Sequence, residues 1–78
     1  MSPITNVIID TLVTKFHVSA EAVKAESTFD SLDLDSLVLV ELGVILGNRF
    51  GLEIDHGELI VAGTIGGAAA LIEARQRC

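Results

Sequence analysis

Residues 36–50, SLVLVELGVILGNRF from Ser36 to Phe50, decide the fold class of this 78-residue chain. Their valines and isoleucine permit a buried strand on propensity alone. Three features predict a helix instead. The run is far longer than a typical strand, and it ends at Gly51, a common helix terminator. Leu39, Leu42, Leu46 and Phe50 also recur at helical spacing, with Gly43 beside them permitting close approach. That stripe is the expected core face. Leu37, Val40 and Val44 fall on another side, next to Glu41 and Asn48; they either pack on a neighbouring helix or remain as an apolar strip in water. Val38 and Ile45 add apolar surface that the pattern assigns to neither.

Moving outward, residues 3–16 read as a first helix. Ser2 is its expected cap, and Pro3 suits the first helical position, where a missing N–H is harmless. Ile4, Val7, Ile8, Leu12 and Phe16 follow helical spacing, Ile9 and Val13 widen the stripe, and Asn6, Asp10 and Thr14 lie opposite. A long connection, 17–35, follows. It holds one candidate helical turn at 19–23 and the apolar pegs Val23, Phe29, Leu32 and Leu34; loops of this length are often functional. Beyond Gly51–Asp55, residues 57–61 form a short helix, and Thr64 caps a last one over 65–76 that turns Ile65, Ala68, Ala69 and Ile72 inward. Gly66 and Gly67 weaken its start by about 1 kcal/mol each against alanine, while Arg75 and Arg77 suit the negative end of its dipole. The small side chains Ala68–Ala70 leave either room inside the bundle or a closer helix. The reading is all-helical, with residues 1–78 as a single domain.

Composition excludes several functions. Cys78 is the only cysteine, so the chain holds neither an internal disulfide nor a cysteine-cage metal site. Eleven acids against five bases disfavour nucleic acid, whose phosphates need cations. The longest apolar stretch, Leu37 to Leu46, is half the length of a membrane span and contains Glu41. The N-terminus lacks a basic start and an uninterrupted apolar run, so a cytoplasmic protein is expected. The ends are not linker-like, which suggests a freestanding chain. The charge is uneven: residues 26–58 hold eight acids and Arg49, whereas the remainder is nearly balanced. This acidic middle is either a solvated surface or a face for basic partners. A catalytic site lacks its parts. His17 sits at a helix end and His56 lies between Asp55 and Glu58 in a surface turn, with no cysteine nearby in sequence and no phosphate loop to complete a site. Residues 63–67, GTIGG, do not follow a strand and are no dinucleotide fingerprint.

The chemistry-bearing candidate is Asp33-Leu34-Asp35-Ser36-Leu37, where the long connection meets the second helix. Asp35 or Ser36 is at least an N-cap. If Asp35 caps, its carboxylate takes the amide of residue 37 or 38, and Ser36 occupies the first helical position with its hydroxyl outward. A phosphodiester on that hydroxyl would sit at the positive end of the helix dipole. Asp33 and Asp35 would help hold a divalent cation during its transfer by a modifying enzyme.

On these residues the chain resembles the acyl carrier protein family. Asp35-Ser36-Leu37 matches the Asp-Ser-Leu motif that receives 4′-phosphopantetheine, Phe29 stands where the family has an aromatic, and Val40-Glu41-Leu42, Phe50, Ile54 and Thr64-Ile65 fall in the family's order. The resemblance implies a four-helix bundle with a short third helix and a long first connection. It implies that Ser36, flanked by Asp35 and Leu37, is loaded from coenzyme A by a phosphopantetheinyl transferase. The expected product is a non-catalytic, monomeric carrier of acyl thioesters that needs no metal of its own and serves acyltransferase or ketosynthase-type enzymes. Asp33, Leu37, Val40, Glu41, Val44 and Asn48 are the expected docking residues. Past the motif, Glu41 is the only acid of the second helix, and Asp33 stands where the family commonly has glycine. Docking by apolar contact, in polyketide or other secondary-metabolite synthesis rather than housekeeping fatty acid synthesis, is therefore expected. A carrier of aminoacyl or peptidyl groups is the alternative, although Asp33-Leu34 departs from the Gly-Gly or Gly-His usual there. A small helical interaction module that is never modified is a third reading.

Overall fold

The computed structural model describes residues 3–77, apart from the side chain of Arg77; the expected Ser2 cap, the Arg77 contribution and Cys78 lie outside the described residues. Four helices follow one another: α1 (Pro3–Lys15), α2 (Ser36–Phe50), α3 (His56–Ala62) and α4 (Ile65–Arg77). α1 packs chiefly on α4, while α3 bridges α2 and α4. No described helix is long and apolar enough to cross a membrane.

The expected stripes meet in one core. Ile4, Ile8 and Leu12 of α1, Leu39, Leu42 and Leu46 of α2, Leu59 of α3, and Ile65, Ala68, Ala69 and Ile72 of α4 are buried together. Each large aliphatic side chain removed from water contributes about 1.5–3 kcal/mol. Phe50 is only partly buried and closes the edge of this core. Thr5 and Thr11 are buried as well, which the apolar pattern does not anticipate. Thr11 is satisfied locally, its hydroxyl donating to the Val7 carbonyl at 2.8 Å.

The connection between α1 and α2 is not a free loop. Its pegs Val23 and Phe29 enter the core, and Leu32 and Leu34 pack against it. The expected helical turn near residue 19 is a single hydrogen-bonded turn, Ala22 N–H to Ser19 O at 3.0 Å. Further on, Phe29 N–H donates to Gly63 O, Ile65 N–H to Ser27 O and Gly66 N–H to Ala25 O, at 3.1, 3.2 and 2.7 Å. These bonds and an isolated Thr28–Thr64 bridge tie the connection to the start of α4. That contact explains Gly66, whose Cβ would lie 3.1 Å from the Ala25 carbonyl oxygen, while a Cβ on Gly67 would lie 2.6 Å from the Ala62 carbonyl oxygen at the end of α3. The three alanines do not share a face, since Ala68 and Ala69 are buried and Ala70 is exposed.

Candidate functional site

Local hydrogen bonding delivers Ser36 to the surface. The carbonyl of the buried Phe29 accepts from both Leu32 N–H (3.2 Å) and Leu34 N–H (3.1 Å). Thr28 Oγ1 accepts from Ser31 N–H at 3.0 Å, and Ser31 Oγ donates back to the Thr28 carbonyl at 2.9 Å. Asp33 closes this turn with φ of 59°, in the left-handed region that glycine enters most readily. A glycine, which the resemblance leads one to expect here, would suit that backbone. Aspartate is among the few other residues that tolerate such a conformation.

The chain then enters α2 through Asp35. Its backbone is extended (φ −76°, ψ 176°), and its Oδ1 accepts from Val38 N–H at 3.0 Å. Its carbonyl accepts the first helical bond, from Leu39 N–H at 3.0 Å. Asp35 is therefore the N-cap, and Ser36 is the first helical residue, exposed to solvent. By their position, the Ser36 and Leu37 amides lack an intrahelical acceptor, so the helix presents donors and partial positive charge beside the hydroxyl. The stretch is helical throughout, which excludes the strand reading.

A groove of about 280 Å³ opens beside Ser36. Phe29, Leu34, Leu39 and Ile60 supply its apolar lining, which Asp30, Asp35 and Gly63 complete. Neither histidine lines it: His56 Nδ1 lies 3.2 Å from Asp55 Oδ1, and His17 is exposed beyond the end of α1. Among the described residues, no cluster of three or more His, Cys, Asp or Glu side chains converges to hold a metal. A cation near Asp33 and Asp35 would take its remaining ligands from elsewhere.

The other expected site residues are open to solvent. Asp33, Leu37, Val40, Glu41, Val44 and Asn48 are all exposed; Leu37 retains 77% of its accessible surface, Val44 58% and Val40 41%. The alternative, that Val40 and Val44 pack beneath a neighbouring helix, is excluded by this exposure. Sequence reasoning missed Ile60 and Val61 of α3, which are 53% and 87% exposed. The signal was present: Leu59-Ile60-Val61 are consecutive apolar residues on a two-turn helix, which buries only Leu59.

This arrangement fits a covalent phosphopantetheine arm, because it offers an exposed hydroxyl, a helix N-terminus for the phosphate and an adjoining groove with apolar walls. The family model described as "Phosphopantetheine attachment site" matches residues 6–72, nearly the whole chain and all of the site. No curated protein matches. Domains of this family bear a covalently attached 4′-phosphopantetheine and act as carriers rather than catalysts. The chain belongs to the phosphopantetheine-attachment family, as an acyl-carrier-type helical domain.

Proposed function

We propose that Ser36 is the attachment residue and that the chain works as a single acyl carrier domain, loaded from coenzyme A by a phosphopantetheinyl transferase. The observation that carries this reading is the place of Ser36: exposed, first in α2, and in the lining of the groove. Asp35 orients it by capping the helix, and Leu37 sits beside it as an apolar contact for the modifying enzyme. The arm supplies a thiol on which acyl groups travel as thioesters.

Docking runs through Leu37, Val40 and Val44, with Asp33, Glu41 and Asn48 as a polar rim. Beyond the cap, this face of α2 carries a single carboxylate, and Arg49 follows near its end. Such a surface recognises enzyme entrances through apolar contact more than through charge steering. That balance supports polyketide or other secondary-metabolite synthesis, with acyltransferase or ketosynthase-type enzymes as partners. The test is competitive loading of the arm-bearing protein by acyl-activating and aminoacyl-activating enzymes. Preferential acylation supports the reading, and preferential aminoacylation makes the chain a peptidyl carrier.

A further inference from the structure

Arg75 does more than face the end of its own helix. From α4 it reaches the segment between α2 and α3: Nη1 donates to the Glu53 carbonyl at 2.6 Å, and Nη2 pairs with the Glu58 carboxylate. Glu58 is already engaged, its Oε1 accepting from Asp55 N–H at 3.2 Å at the start of α3. One guanidinium therefore holds both the connecting loop and the first turn of the short helix. The Arg75 and Glu58 side chains keep only 34% and 32% of their exposure, so water screens the pair less than a surface bridge.

Packing secures the loop, where Leu52 and Ile54 lie against the core, but secures the short helix far less. α3 has seven residues and buries only Leu59, and helices so short are unstable without tertiary support. Beside the loop lies an open surface depression of about 550 Å³, bordered by Val44, Asn48, Glu53, Glu58 and Arg75. The arginine borders this depression and joins Glu53 of the loop to Glu58 of α3. The opposite end of α3 is anchored separately, Gly63 O accepting from Phe29 N–H and Gly63 taking φ of 76°. Ile60 and Gly63, toward that end, are the contribution of α3 and its C-cap to the lining of the groove beside Ser36.

We propose that Arg75 is a positioning residue, a strap that fixes the start of α3 and thereby sets the width of the groove next to Ser36. Released from it, α3 pivots about Gly63 and the Ile60 wall moves. The groove's role as the seat of the arm rests on the function proposed above; the strap itself does not depend on the arm. The test is amide hydrogen exchange and amide chemical shifts of the unmodified protein with Arg75→Gln and Arg75→Lys. In the glutamine variant, Leu59–Ala62 amides should exchange roughly tenfold faster, the scale expected for losing charge-assisted bonds to one local unit. The Phe29, Ile60 and Gly63 resonances should shift, and buried amides of α1 and α2 should keep their protection. Lysine, which keeps the charge but reaches one acceptor at a time, should recover part of the protection. Unchanged exchange in α3, uniform loss across all four helices, or shifts confined to residues 53–58 would each overturn the strap. Arm loading, followed by mass on the same variants, is a separate readout. Failure to load wild-type protein counts against the carrier function and leaves the strap standing.

Discussion

Gly47→Ala should destabilise the protein although it places a better helix former inside a helix. On propensity alone the change stabilises by about 1 kcal/mol. The structure reverses the sign. A Cβ at residue 47 would stand 2.6 Å from the Leu52 carbonyl oxygen and 3.8 Å from the Ile54 nitrogen, where ordinary contact begins near 3.4 Å. The obstacle is backbone, so no side chain can rotate away. The same turn is held by Gly51 and Leu52 N–H groups that both donate to Gly47 O, the latter at 2.8 Å, with Gly51 in the left-handed conformation. Overpacking of this kind costs about 1–3 kcal/mol, and straining a capping bond costs about 1 kcal/mol more. The net expectation is a loss of about 1–3 kcal/mol, read in urea as a midpoint lowered by roughly 1 M or more. Gly57→Ala is the internal control. Its Cβ would meet only Asp55 Oδ2, at 3.6 Å, so the helical preference should survive as a gain of about 0.5–1 kcal/mol. Equal effects at the two positions, or a more stable Gly47→Ala protein, would refute the close approach of the 51–55 loop to α2.

Asp35→Ala should cost about 1 kcal/mol in urea unfolding, whereas Asp35→Asn, which keeps the capping oxygen, should stay within a few tenths; equal losses would mean that the carboxylate does not cap α2. At Asp33, the left-handed backbone makes Asp33→Val worse by about 1–2 kcal/mol, while Asp33→Gly should lie within about 0.5 kcal/mol of wild type. Thermal unfolding of the two variants checks this, and a tolerated valine would contradict the turn. Leu37→Ser and Val40→Ser should leave stability within about 0.5 kcal/mol yet raise the KM of a partner acyltransferase roughly tenfold, as loss of an interface anchor does. Wild-type KM should change little with added salt, because so few charges line the strip; a steep salt dependence would restore charge steering as the main force.

The parts of this fold written in local pattern are legible in the sequence, and the parts that depend on distant backbone are not. Spacing and the Gly51 terminator identify α2 despite its valines, because a fifteen-residue run with a leucine stripe cannot be buried as a strand. Asp35 and Ser36 are equally readable, since capping is settled within three residues. α1 ends one residue before the expected position 16, at Lys15; Phe16 follows it and His17 turns left-handed with φ of 58°. Thr5 and Thr11 escape an apolar count because burying a threonine depends on a hydroxyl bond that hydropathy ignores. Arg75 shows the same limit more sharply. Its place near a helix end points to the dipole, but its partners lie on a loop 22 residues away and on another helix. The alanines of α4 leave open either room inside the bundle or a closer helix, and the glycines before them let α4 start close against the 25–28 segment and the Ala62 carbonyl. Ile60 becomes part of the site only because α3 is too short to hide it.

Ser36 as the point of attachment is tested most directly by intact-mass spectrometry after incubation with coenzyme A and a promiscuous phosphopantetheinyl transferase. Wild-type protein should gain the mass of one phosphopantetheine arm, and peptide mapping should find that mass on Ser36. The Ser36→Ala protein, folded to the same stability because the side chain is exposed, should gain nothing. A folded wild-type protein that gains no mass, or a Ser36→Ala protein that still does, would contradict the account.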